Sequence, residues 1–225
     1  MKLKKYAKER VESGRPPLTK TAERYTVRNT QTYCFRADYN DHFETPKQAY
    51  KDLDPCLALL CAAYIKKDKT DSIIYDPYYC QGRVVTYLHE FGYPNVINAN
   101  RDFYKDIDKA TVPLHDIMVT NPPYSGEHKI QLLQYLQSSV SNRRPFALLL
   151  PAYIATKQYW RTFCDQVQSS YKIAYLLPKQ SYQYDHPEGT GKDIPPFYSA
   201  WLIGLPLAPP PSNSTEPSLF EMYES

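Results

Sequence analysis

A chain of 225 residues that is 42% apolar and 23% charged is long enough to bury a core and too apolar to remain disordered. No apolar run approaches a bilayer span and none follows the Lys-rich N-terminus, so neither a membrane helix nor a secretory signal is expected. The five cysteines are odd in number and scattered, with Cys56 and Cys61 inside apolar runs. That reads as reduced thiols in the nucleus or cytoplasm, and the absence of CxxC and HExxH patterns argues against a metal site.

Residues 1–32 carry nine basic side chains against Glu9, Glu12 and Glu23. The net charge of the whole chain is only +3, so the remainder is slightly acidic. Such an arm reads as a solvated, partly disordered terminus. Its concentrated charge is also the main compositional hint of a polyanionic partner. A domain is expected over residues 33–205. Residues 206–225 form a Pro/Ser-rich tail that cannot build a core, and the two tails are the places where a protein partner could dock.

Tyr33-Cys34-Phe35-Arg36 reads as a short extended segment. A helix follows from about Lys47 to Lys66, with Thr45 as expected N-cap and Pro46 as first-turn proline. Leu53, Leu57, Leu60, Cys61 and Tyr64 recur at helical spacing on one face. Residues 72–77 read as a buried strand ending in Asp76-Pro77. Gly82 then opens a helix that Gly92 stops. A second strand is expected over Asn95–Asn98, and Asn100 and Asp102-Phe103 follow it closely. Asp102 reads equally as a ligand and as a helix cap.

His115 to Thr120 is the next strand, and it runs into Asn121-Pro122-Pro123-Tyr124. Two prolines must end it, because each fixes φ and lacks a backbone donor. A helix over Glu127 to about Val140 follows. Pro145 to Pro151 is nearly continuous apolar, as a strand covered on both faces should be. A helix (Ala155–Ser169), a strand (Tyr171–Leu177) and a last strand (Tyr198–Gly204) complete the domain. The alternation predicts an α/β fold with a mostly parallel sheet. The long segment between the last two strands contains Gly189-Thr190-Gly191-Lys192. It is not a phosphate loop, since the upstream glycine is missing and Asp193 stands where Ser or Thr should be.

Asn-Pro-Pro-Tyr after an apolar strand resembles the catalytic motif of class I, S-adenosylmethionine-dependent amino-methyltransferases. Those that methylate the exocyclic amine of adenine in DNA or RNA are the nearest pattern. The resemblance implies a Rossmann-like sheet, helices on both faces, a C-terminal antiparallel strand, and S-adenosyl-L-methionine as cofactor. It implies that Asn121 and Pro122 bind the target amine, that Tyr124 stacks on the base, and that Pro123 belongs to the same catalytic motif. Phe43, Thr45 and Pro46 match the family's cofactor-supporting segment. Asp76, Tyr78, Cys80 and Gly82 match its Asp-Pro-x-x-Gly-x-Gly turn, except that Cys80 replaces the first glycine. Asn98 or Asn100 takes the place of the acid that binds the donor ribose, and Asp102-Phe103 fits the donor adenine. Only about a dozen residues separate that point from the Asn121 strand, so the family's intervening helix and strand must be shortened or absent. Lys179, Tyr182, Tyr184 and Phe197 are expected to face the nucleic acid. The same loop could instead hold a glutamine amide of a protein, and the Cys80 change leaves a non-catalytic binding subunit open.

Overall fold

The computed structural model describes residues 43–138, 143–184 and 198–207. The basic arm, the Tyr33–Arg36 segment, the end of the helix at Val140, the stretch over 185–197 with Phe197, and the C-terminal tail lie outside these residues. Among the described residues, no helix is long and apolar enough to cross a membrane, and Cys56, Cys61, Cys80 and Cys164 are free thiols.

The chain opens with α1 (Lys47–Leu59), which continues as one wider π-type stretch over Leu60–Ile65. Pro55 lies inside α1. The expected cap is corrected: Pro46 occupies the N-cap position in an extended conformation, with no side-chain cap. Thr45 is buried one residue earlier, and its hydroxyl engages Tyr50. Then come β1 (Ile74–Tyr75), α2 (Arg83–Glu90), β2 (Val96–Ile97), α3 (Phe103–Asp108), β3 (Ile117–Thr120) and α4 (His128–Ser138). The chain continues through β4 (Phe146–Pro151), a 3-10 turn (Ala152–Thr156), α5 (Gln158–Val167), β5 (Tyr171–Leu176) and β6 (Ser199–Pro206).

Six strands form one sheet among the described residues, in the order β2-β1-β3-β4-β6-β5. β2, β1, β3 and β4 are mutually parallel, and β6 inserts antiparallel between β4 and β5. This is the Rossmann-like sheet with a late antiparallel strand that the alternation and the resemblance predicted. β2 and β3 are bridged only by the six-residue α3, so β2 stands at the edge.

Helices cover both faces. Leu53 and Leu57 of α1 and Leu88 of α2 pack with Ile74, Ile117, Leu149 and Trp201 on one face. Leu132 and Leu136 of α4 and Trp160 and Phe163 of α5 pack with Met118, Phe146, Leu148 and Leu202 on the other. All residues of β3 and β4 are buried, as strands covered on both sides require. Gly204 lies across from Phe146 in the β4–β6 ladder, and the Phe146 ring fills the space a Cβ would take.

Candidate active site

The parallel strands β1, β2 and β3 end at a common edge, where a cavity of about 270 Å³ opens. Open α/β sheets bind ligands at this edge because loops leaving the strand ends diverge there. Asp76 and Pro77 after β1, Asn98 after β2, and Asn121 and Pro123 after β3 all line it. Asp102 and Phe103 at the start of α3, and Phe43, Glu44 and Thr45 ahead of α1, close the walls.

The first wall is acidic. Asp76 accepts hydrogen bonds from the Thr120 hydroxyl at 2.6 Å and from the Tyr78 backbone N–H at 3.1 Å. Burial nevertheless pushes its carboxyl up to about 7, and the neighbouring Glu44 charge adds to the shift. Glu44 is buried as well, and its carboxylate accepts the backbone N–H of Gln81. Two sequestered carboxylates on one cavity wall are costly alone and favour a cationic occupant.

The turn after β1 brings backbone close to the cavity. Gly82 has φ +76°, and a Cβ there would lie 3.3 Å from the Tyr79 ring. The left-handed conformation is thus needed at Gly82. Cys80 is not among the non-glycine residues with positive φ, so its Cβ fits the turn without that strain. Its thiol stays protonated, because burial and the nearby Glu44 charge raise its pKa.

Asn98 carries the clearest unmet need. Its side-chain N–H group donates to the carbonyls of Asp76 at 3.0 Å and Tyr78 at 3.5 Å. Its oxygen is buried and is the one such side-chain atom without a partner among the described residues. Buried acceptors of this kind are rare and ask for a donor. Asp102 has both readings offered by the sequence: it lines the cavity and caps α3, accepting the N–H groups of Tyr104 and Lys105 at 3.2 and 3.3 Å. A chain of polar rings forms a further wall. The Tyr78 and Tyr104 hydroxyls lie 2.9 Å apart, and the Tyr104 hydroxyl is 2.8 Å from Nδ1 of His128.

Asn121 half-emerges at the end of β3. The Tyr124 hydroxyl donates to its side-chain oxygen at 2.7 Å, and also lies 3.2 Å from the Leu149 carbonyl. Burial raises the Tyr124 pKa well above its usual range, with Tyr184 contributing, so the hydroxyl keeps its proton. The Lys129 ammonium donates to the Tyr124 carbonyl, tying the loop to α4.

Of the residues expected from the sequence, Phe43, Thr45, Asp76, Tyr78, Cys80, Gly82, Asp102, Phe103, Asn121 and Pro123 share this cavity. Pro46, Asn100, Pro122 and Tyr124 stand beside it without lining it. Between the two candidate asparagines, Asn98 faces the cavity and Asn100 does not. Tyr182 and Tyr184 are corrected: both rings are core, 3% and 8% exposed. The Tyr182 hydroxyl donates to Asp52 at 2.9 Å and that of Tyr184 to Ser199 at 2.7 Å. Lys179 is exposed. The sequence reading missed Glu44, Tyr50, Tyr79, Arg101, Tyr104 and His128 as cavity residues. Glu44, Tyr79, Arg101 and Tyr104 were within reach, since each adjoins a residue the sequence singles out; Tyr50 and His128 join them only through the tertiary fold.

No family model and no curated protein matches the chain. Solved structures that resemble it include a candidate class I S-adenosylmethionine-dependent methyltransferase from Listeria monocytogenes, at 12% identity and TM-score 0.47, covering 77% of this chain and 64% of that one. Another is the tRNA (m1A58) methyltransferase TrmI from Aquifex aeolicus, at 13% identity and TM-score 0.40, covering 78% of each chain. The present chain thus spans less than two thirds of the Listeria protein's length.

Proposed function

We propose that this protein is an S-adenosylmethionine-dependent N-methyltransferase acting on the exocyclic amine of adenine in nucleic acid. The observation that carries the reading is that Asn121 and Pro123 open onto the same cavity as the Gly82 turn, Asp76 and Asn98. A loop suited to hold a planar amine therefore adjoins a cavity suited to a nucleoside-bearing cation.

The residues present fit that donor. The unpartnered Asn98 oxygen can accept a ribose hydroxyl. Gly82 permits close backbone approach where the chain turns into α2. Phe43, Tyr78 and Phe103 offer ring surface to a base, and Asp76 and Glu44 offer negative charge to a sulfonium.

S-adenosylmethionine supplies, when bound, a methyl carbon made electrophilic by its sulfonium. The chain supplies placement. The Asn121 side-chain oxygen keeps acceptor capacity beyond the Tyr124 bond, and the Pro122 carbonyl is the second acceptor. Together they take both hydrogens of the amine and turn its lone pair out of the ring plane. Pro122 and Pro123 stiffen the loop that carries them. The neutral amine would displace the thioether from the methyl carbon, the N–C bond forming as the C–S bond breaks, so no base is required first; one of the amine's own two protons would then leave to water.

The test is calorimetry of the full chain with S-adenosylmethionine, followed by transfer of a tritiated methyl group to RNA, DNA and protein fractions. Binding with label in nucleic acid, abolished in Asn121→Ala/Tyr124→Ala with an unchanged circular dichroism spectrum, is expected. Label in protein alone moves the assignment to a glutamine side chain. Absence of donor binding leaves only a binding subunit.

A further inference from the structure

The sheet edge that bears Asn121 continues across β4, β6 and β5. Thr120 pairs with Leu148, Pro151 with Ser199, and Leu176 with Trp201. β4 therefore ends, and β6 begins, beside the Asn121 loop, and the residues after Leu176 leave the sheet at the same edge. Two tyrosines there differ from the buried pair Tyr182 and Tyr184. Tyr153, in the turn after β4, is 46% exposed, and Tyr198, just before β6, is 67% exposed. The Ala152 N–H donates to the Tyr198 carbonyl at 2.7 Å, which holds the two segments together. Tyr153 is also close enough to Tyr124 to raise its pKa. The Lys157 ammonium lies 5.4 Å from the centre of the Tyr153 ring. Lys179, three residues beyond β5, is exposed as well.

Resting on the methyltransferase reading above, we propose that Tyr153 and Tyr198, flanked by Lys157 and Lys179, form the entry face that seats single-stranded nucleic acid. The bases stack on the two rings and the phosphates meet the two ammonium groups. Water-facing rings beside cations at a reaction edge match the alternation of base and phosphate along a strand. A duplex keeps its bases stacked on one another, so this face selects a single strand or an extruded base. Tyr182 and Tyr184 are buried in the core, so the base contact falls to the exposed pair instead.

The test is fluorescence anisotropy of the full chain with labelled oligo(rA), oligo(dA) and a blunt A·T duplex, alongside calorimetry with S-adenosylmethionine. Tyr153→Ala/Tyr198→Ala should bind the preferred single strand about tenfold more weakly. Lys157→Gln/Lys179→Gln should flatten the salt dependence of that binding. Donor affinity should stay within twofold in both variants, which also reports an intact fold. Unchanged oligonucleotide affinity in the tyrosine pair overturns the proposal. So does equal or tighter binding of the duplex, or a wild-type chain that binds donor and neither oligonucleotide. Oligonucleotide binding that the tyrosine pair weakens, without donor binding, supports the face and removes the methyltransferase reading instead.

Discussion

The hydroxyl of Tyr124 donates a 2.7 Å hydrogen bond to the side-chain oxygen of Asn121, so the motif is cross-braced within itself. That contact fixes which end of the amide faces which way. It also explains why the ring does not line the cavity: the hydroxyl reaches across to the Leu149 carbonyl as well. Tyr124→Phe keeps the ring and loses the brace. Transfer should fall about fivefold, the equivalent of roughly 1 kcal/mol for one lost hydrogen bond, while donor affinity is unchanged. Steady-state rates with calorimetry decide it; a full-rate Phe variant would show that the brace does not orient Asn121.

The acidic wall predicts a pH signature. The Asp76 carboxyl titrates near 7 in the fold, raised by burial and by Glu44, above its ordinary range near 4 in the unfolded chain. A raised acid binds a proton in the native state that the unfolded state has lost. Its contribution to stability is present at acid pH and is lost as pH rises through about 7. His115 slopes the other way: burial lowers its pKa, so stability falls as acid protonates the unfolded chain first. Asp76→Asn isolates the first effect. The stability difference, wild type minus Asp76→Asn, should decline between pH 5 and 8 in thermal melts. A flat difference contradicts the assignment. A cationic ligand should bind more tightly as pH rises across the same window.

Backbone conformation separates the two turn positions. Gly82 sits at φ +76° with the Tyr79 ring 3.3 Å from a notional Cβ, so Gly82→Ala is strained by about 1–2 kcal/mol and should weaken donor binding. Cys80 has no positive φ. Cys80→Gly and Cys80→Ala should therefore bind the donor alike, to within a few-fold, in calorimetry. A gain specific to glycine would mean that the turn needs it there.

The β4–β6 seam offers a test independent of function. A Cβ at Gly204 would fall 2.2 Å from the Phe146 ring, an impossible contact in a packed core. Gly204→Ala should cost about 1–3 kcal/mol by overpacking. Gly204→Ala/Phe146→Leu should recover part of the loss in urea denaturation. Equal stability of wild type and the single variant would mean that the seam adapts freely.

Much of the architecture was legible along the chain because it depends on local covalent geometry. Pro122 and Pro123 end β3 wherever that strand lies, Gly82 starts α2 by adopting a left-handed φ, and the unbroken apolar run Phe146–Pro151 announces a strand covered on both faces. Ten of the residues singled out along the chain line one cavity for the same reason: they stand at strand and helix ends, which punctuation marks. Other assignments were settled by contacts across long separations. The Tyr182 hydroxyl meets Asp52, 130 positions away, and Tyr184 meets Ser199. A tyrosine in a loop has no periodicity to say whether its ring turns to the core or to water. Likewise Asn98 rather than Asn100 faces the cavity because β2 pairs with β1 in one register, Ile74 beside Val96 and Tyr75 beside Ile97. Chemistry close to the backbone was thus written in the order of residues. Which side chains share a cavity, and which of two like side chains enters it, was decided by strand pairing and burial.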